Sequence, residues 1–153
     1  MEENNIIYNH STNTLFVKKG KLIYNLKFRP YKVQILGDSA TGKSLLSHLI
    51  DVFKETDKFN GTSCADNICN VKSYEDWKNE SNKKNCLFVI DCAEYVFGKN
   101  LDFVLGVKHD RVNQYLIISR VSYNLGISPN NYAYLNEKDN VFTLNYLMTI
   151  KGW

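Results

Sequence analysis

Apolar and polar positions change their spacing several times along this chain, and each change marks an element. Leu15, Phe16 and Val17, then Leu22, Ile23, Tyr24, Leu26 and Phe28, flank Lys18-Lys19-Gly20-Lys21 and predict a β-hairpin over 14–28 with glycine in its turn. Residues 1–13 ahead of it are polar, rich in asparagine and without a period, the pattern of a loosely attached start. Tyr31 to Leu36 form a short β-rich run bounded by Pro30. Leu45, Leu46, Leu49, Ile50 and Phe53 follow at helical spacing, so a helix is expected from Ser44 to about Lys58, stopping at Asn60-Gly61.

The second half alternates in the same way. A short strand is expected near Ile68 to Lys72, and Ser73-Tyr74-Glu75-Asp76 resembles a capped helix start running through Trp77 toward Lys83. Cys86 to Ile90 is a continuous apolar run of strand length, as for a strand buried on both faces. Residues 101–112 are mixed and helical in part, Tyr115 to Ile118 give another buried strand, and 141–148 a last, partly alternating one. Tyr123, Tyr132, Tyr134 and Trp153 fall in an asparagine-rich loop and tail, with two readings: exposed aromatics marking an interface or, more simply, packing on that last strand. The order predicts a single α/β domain over 1–153: a three-layer sandwich with a mostly parallel central sheet, its core at 32–120 and the N-terminal hairpin at its edge.

Between the 31–36 run and the helix lies Gly37-Asp38-Ser39-Ala40-Thr41-Gly42-Lys43-Ser44, a phosphate-binding loop with both glycines, the lysine and the hydroxyl in register. The glycines let consecutive backbone N–H groups turn inward and form an anion nest closed by a helix N-terminus. Lys43 is placed to reach the β- and γ-phosphates and Ser44 to offer its hydroxyl to Mg²⁺, with Leu45 completing the nucleotide-binding segment. The apolar run 86–90 closes on Asp91, a carboxylate at a strand's C-terminal end, where it would hold Mg²⁺ beside Ser44. The leading hairpin then has two candidate roles, covering one edge of the sheet or touching the nucleotide base.

Composition narrows the setting. The 153 residues are 44% hydrophobic and 23% charged, ordinary for one globular domain. The net charge of +3 permits weak attraction to nucleic acid without arguing for it. No apolar run is long enough to span a bilayer, and Met-Glu-Glu-Asn-Asn is acidic where a signal peptide would be basic, so a cytoplasmic location is expected. The four cysteines lack zinc-site spacing and read as free thiols.

Gly37 to Ser44 together with Leu87 to Asp91 resemble the P-loop NTPase superfamily, the second string standing at its Walker B position. The resemblance covers most of the chain and implies a nucleoside triphosphate with Mg²⁺ at the C-terminal ends of the strands. In the additional-strand branch, which includes AAA, RecA-like and ABC ATPases, a further strand ending in a polar residue lies between the loop strand and the Walker B strand. Tyr115 to Ile118 followed by Ser119 is similar to that sensor position, and the resemblance gives Arg120 a contact to the γ-phosphate or to a neighbouring subunit. The arrangement also looks like small stand-alone ATP-binding proteins of low-GC bacteria and mobile elements. AAA proteins commonly place a glutamate after the Walker B aspartate, whereas Cys92 stands here, which leaves Glu94 as the candidate base.

ATP is favoured over GTP, because Asn136-Glu137-Lys138-Asp139 has the guanine-reading residues in the wrong order. Three functional readings remain open. The first is an Mg²⁺-dependent ATPase or ATP switch acting with a partner protein or a second copy, with Lys43, Glu94, Ser119 and Arg120 as its catalytic set. The second is a nucleotide-binding module that does not hydrolyse, and the third a small-molecule phosphotransferase, for which three scattered arginines are a poor phosphate clamp.

Overall fold

A computed structural model describes residues 4–36, 42–121 and 123–148. The chain opens with β1 (Asn5–Asn9), β2 (Thr14–Lys19) and β3 (Leu22–Lys27), paired in sequence as an antiparallel meander. The region read as a loosely attached start thus supplies a strand, in which Ile6 and Tyr8 are buried and Ile7 faces outward. β4 (Lys32–Leu36) precedes α1 (Lys43–Asn60), then come β5 (Ile68–Asn70), α2 (Tyr74–Glu80), β6 (Leu87–Ile90), α3 (Ala93–Phe97) and α4 (Leu101–His109). β7 (Gln114–Ile118), a 3₁₀ turn at Pro129–Asn131, β8 (Tyr132–Lys138) and β9 (Val141–Tyr146) complete the described chain.

The nine strands form one sheet in the order β1-β2-β3-β9-β8-β4-β7-β6-β5. This corrects the expected three-layer α/β sandwich on a mostly parallel sheet. The sheet is mixed, and its antiparallel ladders are the longer ones, with five or six residue pairs each against two to four in the parallel ladders. It also curls around α1, as twisted sheets of many strands do. Asn67, just before β5, donates through Nδ2 to the Tyr8 carbonyl on β1 at 2.8 Å, so the two ends of the strand order approach and the sheet is nearly closed, barrel-like. Helices are few: α1 has 18 residues, and the other three have 7, 5 and 9.

The β8–β9 hairpin causes much of the difference. Tyr132 and Tyr134, expected in a loop, lie on β8, which pairs with β4 on one side and β9 on the other. β9 is internal, and it meets β3 in parallel at Ile23–Val141 and Tyr24–Phe142. The N-terminal meander is thereby continuous with the main sheet instead of flanking it.

Alternate side chains of the central strands feed two cores. Leu87 and Val89 of β6 and Leu116 and Ile118 of β7 pack with Leu46, Leu49 and Ile50 of α1. Phe88, Ile90, Tyr115 and Ile117 face the opposite way, against Phe97 of α3 and Phe103 and Val107 of α4. Burial on both faces explains the unbroken apolar runs. Trp77 on α2 donates to the Tyr115 hydroxyl at 2.9 Å, and that hydroxyl donates to Asp110 at 2.7 Å, tying α2 to the start of β7. Among the described residues no helix is long and apolar enough to cross a membrane.

Candidate functional site

The C-terminal ends of β6 and β7 and the N-terminus of α1 enclose a cavity of about 110 Å³ lined by Lys43, Ser44, Asp91, Cys92, Glu94, Tyr95, Ile118, Ser119 and Arg120. Six residues singled out from the sequence, Lys43, Ser44, Asp91, Glu94, Ser119 and Arg120, meet there from three separate chain segments. The space suits a phosphoryl group and its waters rather than a whole nucleotide. Gly37, Asp38, Ser39, Ala40 and Thr41 lie outside the described residues. Leu45 is half-exposed on α1 and is not among the cavity-lining residues.

Strand order puts these groups together. β4, which leads into the loop segment, has β7 and β8 as its neighbours, and β7 separates it from β6. The chain leaves β4 toward one side of the sheet and later returns on the other, the kind of switch point where a crevice opens beyond the strand ends. Lys43 is buried at the first turn of α1, and Ser44 beside it is exposed.

Gly42 carries φ +87, a conformation that favours glycine, and its carbonyl accepts a hydrogen bond from the Tyr24 hydroxyl at 2.7 Å. Tyr24 stacks on Phe142, with ring centroids 4.5 Å apart. A Cβ on Gly42 would lie 2.6 Å from the Phe142 ring. The β3–β9 junction therefore braces the end of the loop. Tyr24 is fully buried, which pushes its phenol up to about 12 and keeps it a donor. Edge covering does not describe β3, since it is an internal strand.

The chain reverses at Cys92, a residue with φ 51 and ψ 51, and α3 begins at once. That turn brings Glu94 back toward β7. The Ser119 hydroxyl lies 3.0 Å from Glu94 Oε2, and the Arg120 backbone N–H donates to the same oxygen at 3.4 Å. Ser119 Oγ is also 2.9 Å from the Val121 carbonyl, so its single proton serves one acceptor at a time. Burial pushes the Glu94 carboxyl up, but donors from its own backbone N–H, Ser119 and Arg120, with the Arg120 charge, outweigh it and the net direction is down. Glu94 is thus held as a carboxylate. The Cys92 thiol is pushed up by burial and by the Asp91 and Glu94 carboxylates, so it stays protonated and is a poor nucleophile.

Some participants escaped sequence reasoning. Gln34, buried on β4, places its Nε2 3.4 Å from the Ser119 and Val121 carbonyls and so supports the Ser119–Val121 segment. A polar residue inside the apolar run 31–36 was the available signal. Tyr95, beside the cavity and 82% exposed, carried none.

Ser44 and Asp91 present a hydroxyl and a carboxylate to one cavity, hard oxygen donors of the kind Mg²⁺ takes when phosphate oxygens and water fill its remaining positions. The residues present fit that ion. The described residues contain no group of three or more His, Cys, Asp or Glu placed to hold a metal by themselves. No family model, no curated protein and no solved structure matches this chain.

Proposed function

We propose that the protein binds ATP with Mg²⁺, its terminal phosphate in the α1–β6–β7 cavity, and works as an ATPase or ATP-dependent switch. The observation that carries this reading is the convergence of Lys43, Ser44, Asp91, Glu94, Ser119 and Arg120 on one cavity. Lys43 and the loop ahead of it neutralise the phosphates, while Ser44 and Asp91 are the residues that would hold Mg²⁺. When bound, that ion offsets charge on the phosphate oxygens. Ser119 and Arg120 contact the terminal phosphate, and Glu94 orients or deprotonates the attacking water.

Glu94 already engages Ser119, so a γ-phosphate that recruits the Ser119 hydroxyl changes what holds the carboxylate. The end of β7 and the first turn of α3 are coupled through that one oxygen. A partner protein or a second copy seated on exposed Tyr95 and Arg120 would read the change. Free thiols at Cys64, Cys69, Cys86 and Cys92 suit the reducing cytoplasm, where ATP and Mg²⁺ are abundant.

The tethering of Glu94 also favours a second reading, a module that binds ATP without cleaving it. Incubation of the pure protein with ATP and Mg²⁺, followed by separation of the nucleotides, decides between them. ADP formation that Glu94→Gln abolishes supports hydrolysis. Intact ATP recovered in a 1:1 complex supports the module.

A further inference from the structure

The other end of β4 carries a second cavity, about 280 Å³, between the first residues of that strand, the last turn of α4 and the segment 125–131. Lys32, Lys108, His109 and Arg111 contribute to its wall, and no acidic side chain does. Lys32 is 7% exposed, and a buried ammonium is costly unless its donors are met. Of its three N–H donors, one reaches the Asp110 carbonyl at 2.9 Å, and the Tyr115 ring face lies 5.7 Å away. No carboxylate forms an ion pair with Lys32 among the described residues.

The nearest acid does not supply the missing charge. Asp110 Oδ1 accepts from the backbone N–H groups of Val112 and Asn113, and Oδ2 accepts from Asn113 Nδ2 and the Tyr115 hydroxyl. Its carboxylate is committed to the turn that starts β7. Burial, countered in part by Asp110 and reinforced by Arg111, pushes the Lys32 ammonium down, the direction expected of a cation short of an anionic partner. Pro30, Tyr31, Leu125 and Ile127 add apolar surface to the wall, and Ser128 and Asn131 add polar surface.

We propose that this cavity binds a small organic phosphate monoester, with Lys32 and Arg111 holding the phosphate and Tyr31, Leu125 and Ile127 covering the carbon body. A dianion matches a wall with several basic side chains and no acidic one better than a monoanion does, and exposed Arg111 carries a planar fork suited to phosphate oxygens. The site stands at the opposite end of β4 from the phosphate loop and does not depend on the function proposed above.

Phenyl phosphate is the probe, titrated into the ¹⁵N-labelled full-length protein with backbone amides as the readout. Saturable shifts are expected at His109, Gly126 and Ile127, unaffected by Mg-ATP. Lys32→Met and Arg111→Ala should each weaken binding about tenfold or more, as for loss of a hydrogen bond to a charged group. Benzoate, with the same ring and one negative charge, should bind more weakly. The exposed position of Arg111 keeps the test usable if Lys32→Met does not fold. Absence of shifts at these amides overturns the proposal. So do shifts confined to Gly42–Leu45 that Lys43→Ala removes, equal binding of benzoate, or unchanged affinity in the Arg111→Ala variant.

Discussion

The Ser119 hydroxyl lies 3.0 Å from Glu94 Oε2, joining the end of β7 to the first turn of α3 across the cavity that Lys43 and Asp91 line. If Glu94 acts on the attacking water, Glu94→Gln keeps the shape and removes the base. ATP turnover is expected to fall by about 10²–10⁴-fold with Mg-ATP affinity retained. Ser119→Ala removes one donor and should lower turnover by about tenfold. Steady-state ADP release, with binding measured in parallel, checks both.

The same contact makes a prediction about acid. The Glu94 carboxyl is held below the ordinary glutamate value in the folded protein, so its contribution is present above that value and is lost as pH falls through the lower folded one. Wild type should therefore lose stability more steeply than Glu94→Gln across that acid window. Urea unfolding of both proteins at stepped pH measures the difference.

Bracing of the loop by Tyr24 and Phe142 predicts a second pair of variants. Tyr24→Phe deletes the 2.7 Å bond to the Gly42 carbonyl and should cost about 1 kcal/mol. Gly42→Ala combines φ +87 with a Cβ 2.6 Å from the Phe142 ring and should cost about 1–3 kcal/mol. Both should weaken Mg-ATP binding. Chemical unfolding together with a nucleotide titration separates lost stability from lost affinity.

Alkali tests the buried phenols. Burial raises Tyr8, Tyr24 and Tyr146 to about 12, with the Cys86 charge adding to the shift at Tyr8. The unfolded chain releases these protons near the ordinary value of 10.0, and the folded protein holds them, so stability falls as pH rises from there through about 12. Absorbance of tyrosinate during a pH jump should show a slow fraction that appears only with unfolding. Tyr24→Phe should reduce that fraction.

Local elements were more legible than their assembly. The apolar spacing that placed a strand before Gly37 and a helix after Gly42 reflects burial of one helix face, a short-range pattern that the β4 and α1 boundaries follow. The pairing of β3 with β9 joins residues more than a hundred positions apart through two register pairs, and no local periodicity records it. β8 was hidden because Tyr132–Lys138 alternates buried and exposed positions with asparagine and charge on its outer face, which resembles a loop. That omission, with the missed β1, led to a layered sandwich being expected where the sheet curls.

The site was legible where chemistry demands a residue type and hidden where only geometry selects one. Lys43, Ser44 and Asp91 follow from motif spacing and Ser119 from the resemblance to a sensor position, and all four line the cavity. Glu94 reaches it because Cys92 adopts a left-handed turn, a conformation that sequence seldom announces outside glycine and asparagine. Lys32 lay unnoticed among the strand-forming residues 31–36, since its significance arises from burial without a carboxylate.

Calorimetric titration of Mg-ATP into wild type and Lys43→Ala tests the central claim, that the α1–β6–β7 cavity holds the terminal phosphate of a triphosphate. The account predicts saturable 1:1 binding to wild type, weaker binding of GTP, and a loss of at least about tenfold in Lys43→Ala, since a charge-assisted contact to phosphate is removed. Absence of binding to folded wild-type protein, or equal affinity in the Lys43→Ala variant, would contradict it.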